Sequence, residues 1–188
     1  TSAVKAVLVD GTQRILASAT RPLASAQPVP GWSEQDPEDW WRAVEAVAAE
    51  LSRAAPEAWR ALNSIGLSGQ MHGLVALDSA GAVIRPAILW NDSRALAEAA
   101  QLAAIPGVAR LAGVLPMAGL TAPKALWLKR HEPEAFARIA CVLLPKDYVR
   151  FRMTGERLTD VSDAAGTLWL DQARRSWSAE MVTASGLR

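Results

Sequence analysis

The stretch Asn63-Ser-Ile-Gly-Leu-Ser-Gly-Gln-Met-His-Gly73 joins a short apolar segment to a turn bounded by two glycines. The apolar residues predict a buried strand over 63–68, because a short apolar run that ends in glycine is typical of a core strand. The turn then presents the amide of Gln70, the thioether of Met71 and the imidazole of His72 at the edge where α/β sheets bind ligands. A purely structural role, with His72 as a satisfied polar residue and Met71 in the core, fits the same sequence.

A second polar turn follows the next long apolar segment. Residues 87–90 predict a strand, and Trp90-Asn-Asp-Ser-Arg94 comes directly after it. Asn91 and Asp92 carry groups that recognise polyols, and the indole of Trp90 suits the apolar face of a carbohydrate. An ordinary helix cap beside a core tryptophan explains the same residues. Two such turns at the ends of successive strands favour a ligand site more than either turn does alone.

Around these turns the sequence alternates between strands and helices. Residues 1–9 and 15–20 predict a hairpin joined at Asp10-Gly11, because Asp-Gly favours the positive φ of tight hairpin turns. Asp36 and Pro37 predict the start of a helix that ends near residue 53. Further helices are predicted at 94–102, 105–112, 121–132, 133–138, 145–153 and 178–184, and further strands at 74–77, 83–85 and 139–144. This order predicts one α/β domain with a mixed sheet flanked by helices.

The composition is that of a globular protein. The 188 residues are 51% hydrophobic and 21% charged with a net charge of +1, which predicts no nucleic-acid or anionic-membrane partner. No apolar run reaches the roughly 18 residues of a membrane span. The single cysteine, Cys141, is predicted to be a buried hydrophobe, and two histidines without a Cys/His cluster predict no structural metal site. The eight tryptophans suit both the core and a platform for sugar rings.

Several charged side chains lie near the predicted turns. Lys124 falls in the first turn of its helix, where the helix dipole disfavours a cation, so a solvated position and a functional role both stay open. Lys146, Arg150 and Arg152 predict a solvated helix face. Residues 159–166 predict a polar loop that contains Asp160, Ser162 and Asp163 and is followed by Thr167. Two interpretations stay open: the loop caps a helix, or it takes part in the site. No Walker loop, Ser-His-Asp triad or Cys-His pair is recognisable from spacing.

Seven segments together carry a resemblance to a known family. They are Trp32-Ser-Glu-Gln-Asp-Pro-Glu-Asp-Trp-Trp41, Gly69-Gln-Met-His-Gly73, Arg85-Pro-Ala-Ile-Leu-Trp-Asn-Asp92, Gly119-Leu-Thr-Ala-Pro-Lys-Ala-Leu-Trp127, Arg130-His-Glu-Pro-Glu134, Leu143-Leu-Pro-Lys-Asp-Tyr148 and Ser162-Asp-Ala-Ala-Gly-Thr167. In this order and spacing the chain resembles the carbohydrate kinase family that includes xylulokinase, glycerol kinase and gluconokinase. The resemblance covers essentially the whole chain and is strongest to xylulokinases. Ala125 departs from it, because the family's signature has a larger apolar residue there.

The resemblance implies an actin-like, ribonuclease-H-like fold in two domains. Residues 1–188 would form the amino-terminal sugar-binding domain, incomplete at both ends. ATP and Mg²⁺ would bind outside this chain, where the catalytic aspartate would also lie. The implied reaction is the ATP-dependent phosphorylation of D-xylulose in the cytoplasm. A homodimer is one oligomeric state open to the protein. The 188 residues alone are expected to be inactive.

The resemblance also assigns roles to single residues. In xylulokinases the Met-His pair contacts the sugar, and in related polyol kinases a tryptophan backs it. The expected substrate-binding set, taken from both turns, is Gln70, Met71, His72, Trp90, Asn91 and Asp92. Thr1 and Ser2 would end a hairpin whose tip faces the nucleotide phosphates. Two alternatives stay open: a non-catalytic, tryptophan-rich carbohydrate-binding module, and a catalytically inactive regulatory homologue.

Overall fold

A strand hairpin opens the computed structural model, which describes residues 2–187. β1 (Ala3–Val9) and β2 (Ile15–Pro22) pair antiparallel, which confirms the predicted hairpin. The predicted chemistry of its turn is wrong, because the positive φ of 67° falls on Gln13 and not on the glycine. The Asp10 carboxylate shapes the turn instead by accepting hydrogen bonds from two backbone N–H groups of the loop, at 2.8 and 3.1 Å.

The hairpin packs on the first long helix, α1 (Pro37–Ala54). Asp36 caps this helix, as predicted, by accepting a hydrogen bond from a first-turn N–H at 2.9 Å. Val47 and Leu51 lie on its buried face and contact the hairpin residue Leu8. Burying one such side chain contributes roughly 1.5–3 kcal/mol, so this face fixes the hairpin against the helix.

The other elements are short. The helices are α2 (Pro56–Arg60), α3 (Leu96–Ala103), α4 (Val108–Ala112), α5 (Thr121–His131), α6 (Pro133–Ala137), α7 (Pro145–Thr154), α8 (Val161–Ala164) and α9 (Ala179–Ala184), with a 3-10 turn at Ala165–Thr167. The strands are β3 (Glu34–Gln35), β4 (Val75–Leu77), β5 (Ala87–Ile88), β6 (Cys141–Leu143), β7 (Leu170–Asp171) and β8 (Ser176–Trp177). The helices predicted from 121 onward are confirmed to within about two residues, which is the usual uncertainty of helix ends. None of the helices in the described part of the chain is long and apolar enough to cross a membrane.

Four strands form a central row in the order β6–β4–β5–β3. β4 pairs with β6 and β5 with β3, and an isolated bridge between Leu74 and Ile88 aligns the two pairs. Within residues 2–187 every strand pair is antiparallel, so the predicted parallel strands of a mixed sheet are not found there. Leu74 and Ile88 face one hydrophobic cluster, whereas Val75 and Leu77 face another. Helices therefore cover both faces of the row, as the α/β prediction requires.

The predicted strand at 63–68 is wrong. Residues 61–69 form no strand and are all exposed, with 62% of Ile65 accessible to solvent. A strand is stabilised by its neighbour, and this segment has no strand partner within residues 2–187. The predicted strand at 83–85 is likewise reduced to a single bridge between Val83 and Leu77.

Two predictions about polar residues near helix starts had different outcomes. The residues 91–93 do not cap α3, which begins after Ala95 without a side-chain cap. The polar loop at 159–166 contains α8, and Asp160 caps it by accepting a hydrogen bond from the Asp163 N–H at 3.0 Å. The prediction that this loop caps a helix is therefore confirmed. Cys141, predicted to be buried, is half-buried, and its burial raises the pKa of the thiol.

Candidate functional site

The structure brings the two predicted polar turns together. Leu74 donates a backbone hydrogen bond to Ile88 at 2.9 Å, in an antiparallel bridge. Antiparallel partners run in opposite directions, so residues before Leu74 lie opposite residues after Ile88. His72 and Trp90 are each two residues beyond this pair and therefore lie at the same end of the row. Met71 and Trp90 are 46% and 47% exposed there, although both side chains are large and apolar.

His72 is the centre of a tight, strained turn. The Gly73 N–H donates to the Met71 carbonyl at 2.8 Å, which closes a three-residue γ-turn. The φ of His72 is 64°, in the left-handed region that side chains other than glycine rarely adopt. Such a conformation persists only when the surrounding structure imposes it, and strained residues of this kind cluster at functional sites.

Two donors from α5 hold the carbonyl of His72. Lys124 Nζ donates to His72 O at 2.9 Å, and Thr121 Oγ1 donates to the same oxygen at 3.2 Å. Lys124 Nζ also donates to the carbonyl of Gly119 at 2.7 Å. Gly119 in turn lies so close to the carbonyl of Trp90 that a side chain at 119 would overlap it. One lysine therefore connects both turns of the site.

The imidazole of His72 is held from the other side by the segment after α7. Its ring lies directly against Gly166, and a methyl group at 166 would overlap the ring. Burial lowers the pKa of His72, the positive charge of Lys124 lowers it further, and the charge of Asp163 opposes both effects. A neutral imidazole has one N–H donor and one acceptor nitrogen, so near neutral pH His72 can both donate to and accept from hydroxyl groups.

Next to this turn, Lys146 joins three carboxylates. Its Nζ lies 2.6 Å from Asp147, 2.9 Å from Asp160 and 3.0 Å from Asp163, and its Cβ faces Gly69. Burial opposes protonation of Lys146, but these three hydrogen bonds outweigh it and raise its pKa. The prediction of a solvated face at this lysine is therefore wrong, because Lys146 ties α7 to the segment that covers His72.

Asp92 lies behind Trp90 and not beside it at the surface. Only 2% of Asp92 is exposed, and its carboxylate accepts hydrogen bonds from the Ser33 N–H at 2.6 Å and from Arg94 at 2.7 Å. The guanidinium of Arg94 lies 3.7 Å from the ring centre of Trp32. Asp92 thus supports the strand ends, whereas Asn91 is exposed beside Trp90. Direct contact of either residue with a substrate stays a prediction.

Gln70 anchors the start of the turn. Its Nε2 donates to Gln35 Oε1 at 3.3 Å, and the same oxygen accepts from the indole N–H of Trp40 at 2.9 Å. The buried Oε1 of Gln70 has no hydrogen-bond partner among the described residues. A buried acceptor without a partner is rare and points to a missing polar group, such as a ligand or a water.

The sequence did not predict the contacts that Lys124 and Gly166 make with His72. The only local signal for Lys124 was a cation in the first turn of a helix, where the dipole disfavours it. Of the two residues predicted to face a nucleotide, Thr1 lies outside the described residues. Ser2 starts the hairpin and accepts a hydrogen bond from the Leu23 N–H at 2.8 Å, with no described contact to the turns. Within 2–187, no three His, Cys, Asp or Glu side chains are grouped to hold a metal ion.

The chain matches known carbohydrate kinases over its whole length. Residues 1–188 match the N-terminal domain of the FGGY family of carbohydrate kinases. Xylulose kinases from Klebsiella pneumoniae and Escherichia coli are 49% and 48% identical to it over 188 residues, which is 100% of this chain and 38% of each relative. A crystal structure described as a xyloylose kinase from Brucella ovis has a TM-score of 0.97 at 48% identity and covers 99% of this chain and 38% of its own. The chain thus spans 38% of the length of these relatives.

Proposed function

The chain belongs to the FGGY family of carbohydrate kinases, and from that membership we propose that it is the sugar-binding domain of a longer kinase that phosphorylates D-xylulose with ATP. The names of its relatives support the substrate, and their greater length supports a second, nucleotide-binding domain. The helix-covered strand row is consistent with the actin-like, ribonuclease-H-like architecture expected for the family, and we propose that architecture for the domain. ATP would supply the phosphoryl group, and it and Mg²⁺ would be held by residues outside this chain.

The observation that carries the proposal is the strained His72 turn beside the exposed indole of Trp90. A sugar has apolar faces made of C–H groups and a rim of hydroxyls. A protein site for it therefore needs a flat apolar surface together with hydrogen-bond donors and acceptors. Trp90 and Met71 offer the apolar surface. A neutral His72 offers a donor and an acceptor, and Gln70 Oε1 is a further acceptor without a partner among the described residues.

In this arrangement the chain contributes position and not chemical reactivity. Phosphoryl transfer depends mainly on placing the attacking hydroxyl in line with the phosphate and on stabilising charge. Holding two reactants in the right geometry supplies a large part of the rate enhancement. The groups of the His72 turn would orient the sugar, and the catalytic base is expected elsewhere in the longer protein.

A substrate comparison on the full-length protein tests the function. Initial rates would be measured at saturating ATP on D-xylulose, L-ribulose, glycerol and gluconate. We expect D-xylulose to exceed glycerol in kcat/KM by at least about a hundredfold, which corresponds to roughly 2.7 kcal/mol. The reason is that a site built to bond particular hydroxyls leaves buried polar groups unpaired when a shorter polyol binds. Glycerol or gluconate as the best substrate would contradict the substrate assignment and leave the family unchanged.

Replacement of His72 tests the site. In the full-length enzyme, His72→Ala should weaken sugar binding by about 1–3 kcal/mol, the cost of losing a hydrogen bond in a partly buried site. ATP affinity without sugar should stay the same. The matched control is His131→Ala, because His131 is the other histidine and stacks on Trp127 at 4.7 Å. Normal sugar affinity combined with a collapse of thermal stability in His72→Ala would show a structural role instead.

We further propose that the kinase works in the cytoplasm, since its proposed phosphoryl donor is ATP. A homodimer is the expected assembly. Light scattering of the full-length protein measures its mass in solution, and a monomeric mass at micromolar concentration would contradict the dimer.

A further inference from the structure

We propose that Lys124 is a positioning residue for sugar binding, because its ammonium nitrogen holds the carbonyl of His72 and so sets where the imidazole points. The inference rests on the proposed function, since it assigns Lys124 to the site that binds the sugar. Lys124 does not itself face the open end of the site: its side chain is fully buried. It would act on the substrate through His72.

The partners of Lys124 are unusual for a buried lysine. Buried lysines are normally paired with a carboxylate, because burying an unpaired charge is costly. The hydrogen bonds of Lys124 go instead to two backbone carbonyls, those of His72 and Gly119. Asp92, whose negative charge influences Lys124, is already engaged by Ser33 and Arg94. Burial is the largest cause that lowers the pKa of Lys124, to about 7.

The two hydrogen bonds of Lys124 fix the backbone around His72 and Gly119. One joins α5 to the centre of the γ-turn, and the other joins it to the segment that lies against Trp90. A residue with φ of 64° relaxes unless its surroundings hold it there. With its carbonyl fixed by Lys124 and Thr121 and its ring stopped by Gly166, His72 has one orientation left. Removing the lysine takes away the shorter of these two hydrogen bonds and leaves the longer one from Thr121, so the carbonyl and the imidazole are held less firmly.

The test uses three variants of the full-length enzyme. Lys124→Met removes the ammonium and keeps most of the side-chain volume. Thr121→Val removes the weaker donor with little change of shape. Lys129→Met is the matched control, because Lys129 is on the same helix and exposed. Each would be assayed on whichever of the four substrates, D-xylulose, L-ribulose, glycerol or gluconate, the wild type phosphorylates fastest. KM would be measured separately for that substrate and for ATP.

We expect Lys124→Met to raise the sugar KM by at least about tenfold, a factor equal to 1.4 kcal/mol, while the ATP KM stays within about twofold. Thr121→Val should raise the sugar KM by a smaller factor, at least about threefold, and Lys129→Met should leave both constants unchanged. Combined with His72→Ala, the lysine change should add less than about threefold, because residues that act through one another are not additive.

Several results would overturn the inference. One is a folded Lys124→Met with an unchanged sugar KM, and another is a parallel rise in the KM of sugar and of ATP. If Lys124→Met does not fold, Thr121→Val decides, and an unchanged sugar KM in that variant rejects the proposal. The wild-type rates alone report on the proposed function, so a wrong substrate and a wrong role for Lys124 give different results. A wild type without activity on any of the four substrates overturns both.

Discussion

Lys124 influences the protonation of His72 as well as its position. Burial is the largest cause that lowers the pKa of each, and the charge of Lys124 lowers the pKa of His72 further. A neutral amine keeps two N–H groups, which is the number of carbonyls that Lys124 meets. The hydrogen bonds that hold the turn therefore survive deprotonation of the lysine. A charged Lys124 would have a third N–H to satisfy in a buried place.

This protonation predicts how stability depends on pH. The pKa of Lys124 falls from 10.5 to about 7 on folding, so between these values the unfolded chain binds one proton more. Stability must then rise with pH across that window, by at most about 1.4 kcal/mol per pH unit. We expect the Tm of the wild type, minus that of Lys124→Met, to increase from pH 7 to pH 10 in scanning calorimetry of the full-length protein. A flat difference for Lys124→Met would contradict the lowered pKa.

Gly166 predicts a steric effect on the same histidine. A methyl group at 166 would overlap the His72 ring, so Gly166→Ala must move the ring or the 3-10 turn. Overpacking of this kind typically costs 1–3 kcal/mol, and we expect about tenfold or more in the sugar KM of the full-length enzyme. Gly11→Ala is the control, because a methyl group there meets nothing within 4 Å. A sugar KM within twofold of wild type in Gly166→Ala would show that the ring contact does not set the orientation of His72.

The sequence predicted some of these residues and not others for a physical reason. Trp90 comes two residues after β5, so its place at the end of the strand row could be predicted from the local sequence. His72 was placed there from a strand at 63–68 that does not form, and it lies at that end because β4 begins three residues after it. Lys124 is 52 residues from His72, and its burial results from tertiary contacts. A lone lysine in a helix gives no local sign of which side it faces, and a glycine gives no sign of which ring lies against it.

At the scale of secondary structure, local signals were enough for most of the helices, although α2 and α8 were not predicted. Asp36 and Pro37 fix the start of α1, and α7 ends before Gly155, as predicted. The strands were harder, because a strand is stabilised by a partner that is distant in sequence. β5 covers only two of the four residues predicted for it, and 63–68 forms no strand at all.

The exposed segment at 63–68 predicts a missing neighbour. Ile65 and Leu67 are exposed there, and so are Val7 and Val9 on β1, which is unusual for apolar residues within one domain. Since we propose a longer protein, we expect part of it to cover 63–68. In hydrogen-exchange measurements on the full-length enzyme, the amides of 63–68 should be protected by at least about a hundredfold over their intrinsic rates. Exchange of the 63–68 amides at close to their intrinsic rates would contradict the expectation.

At the scale of the whole molecule, the family could be recognised from the order of seven motifs, and the comparisons confirm it. The arrangement of strands could not be predicted from the sequence, because single apolar runs do not reveal which strands pair or in which direction. The strand row nevertheless has the layout that the α/β prediction requires, with covered faces and polar turns at one end. Helices cover both of its faces, and Met71 and Trp90 are exposed at one end.

The last prediction concerns the 188 residues on their own. Phosphoryl transfer needs a nucleotide held in line with the sugar hydroxyl and charge stabilisation around the phosphates. The chain spans 38% of the length of its relatives, and we propose that the nucleotide-binding residues and the catalytic base lie in the remainder of the longer protein. We therefore expect no ADP release above background when the isolated chain is incubated with ATP, Mg²⁺ and D-xylulose, whereas the full-length protein turns over under the same conditions. Activity that stays with the 188-residue species through a further purification step would mean that the chain itself binds the nucleotide and supplies the base, and the division of labour proposed here would be wrong.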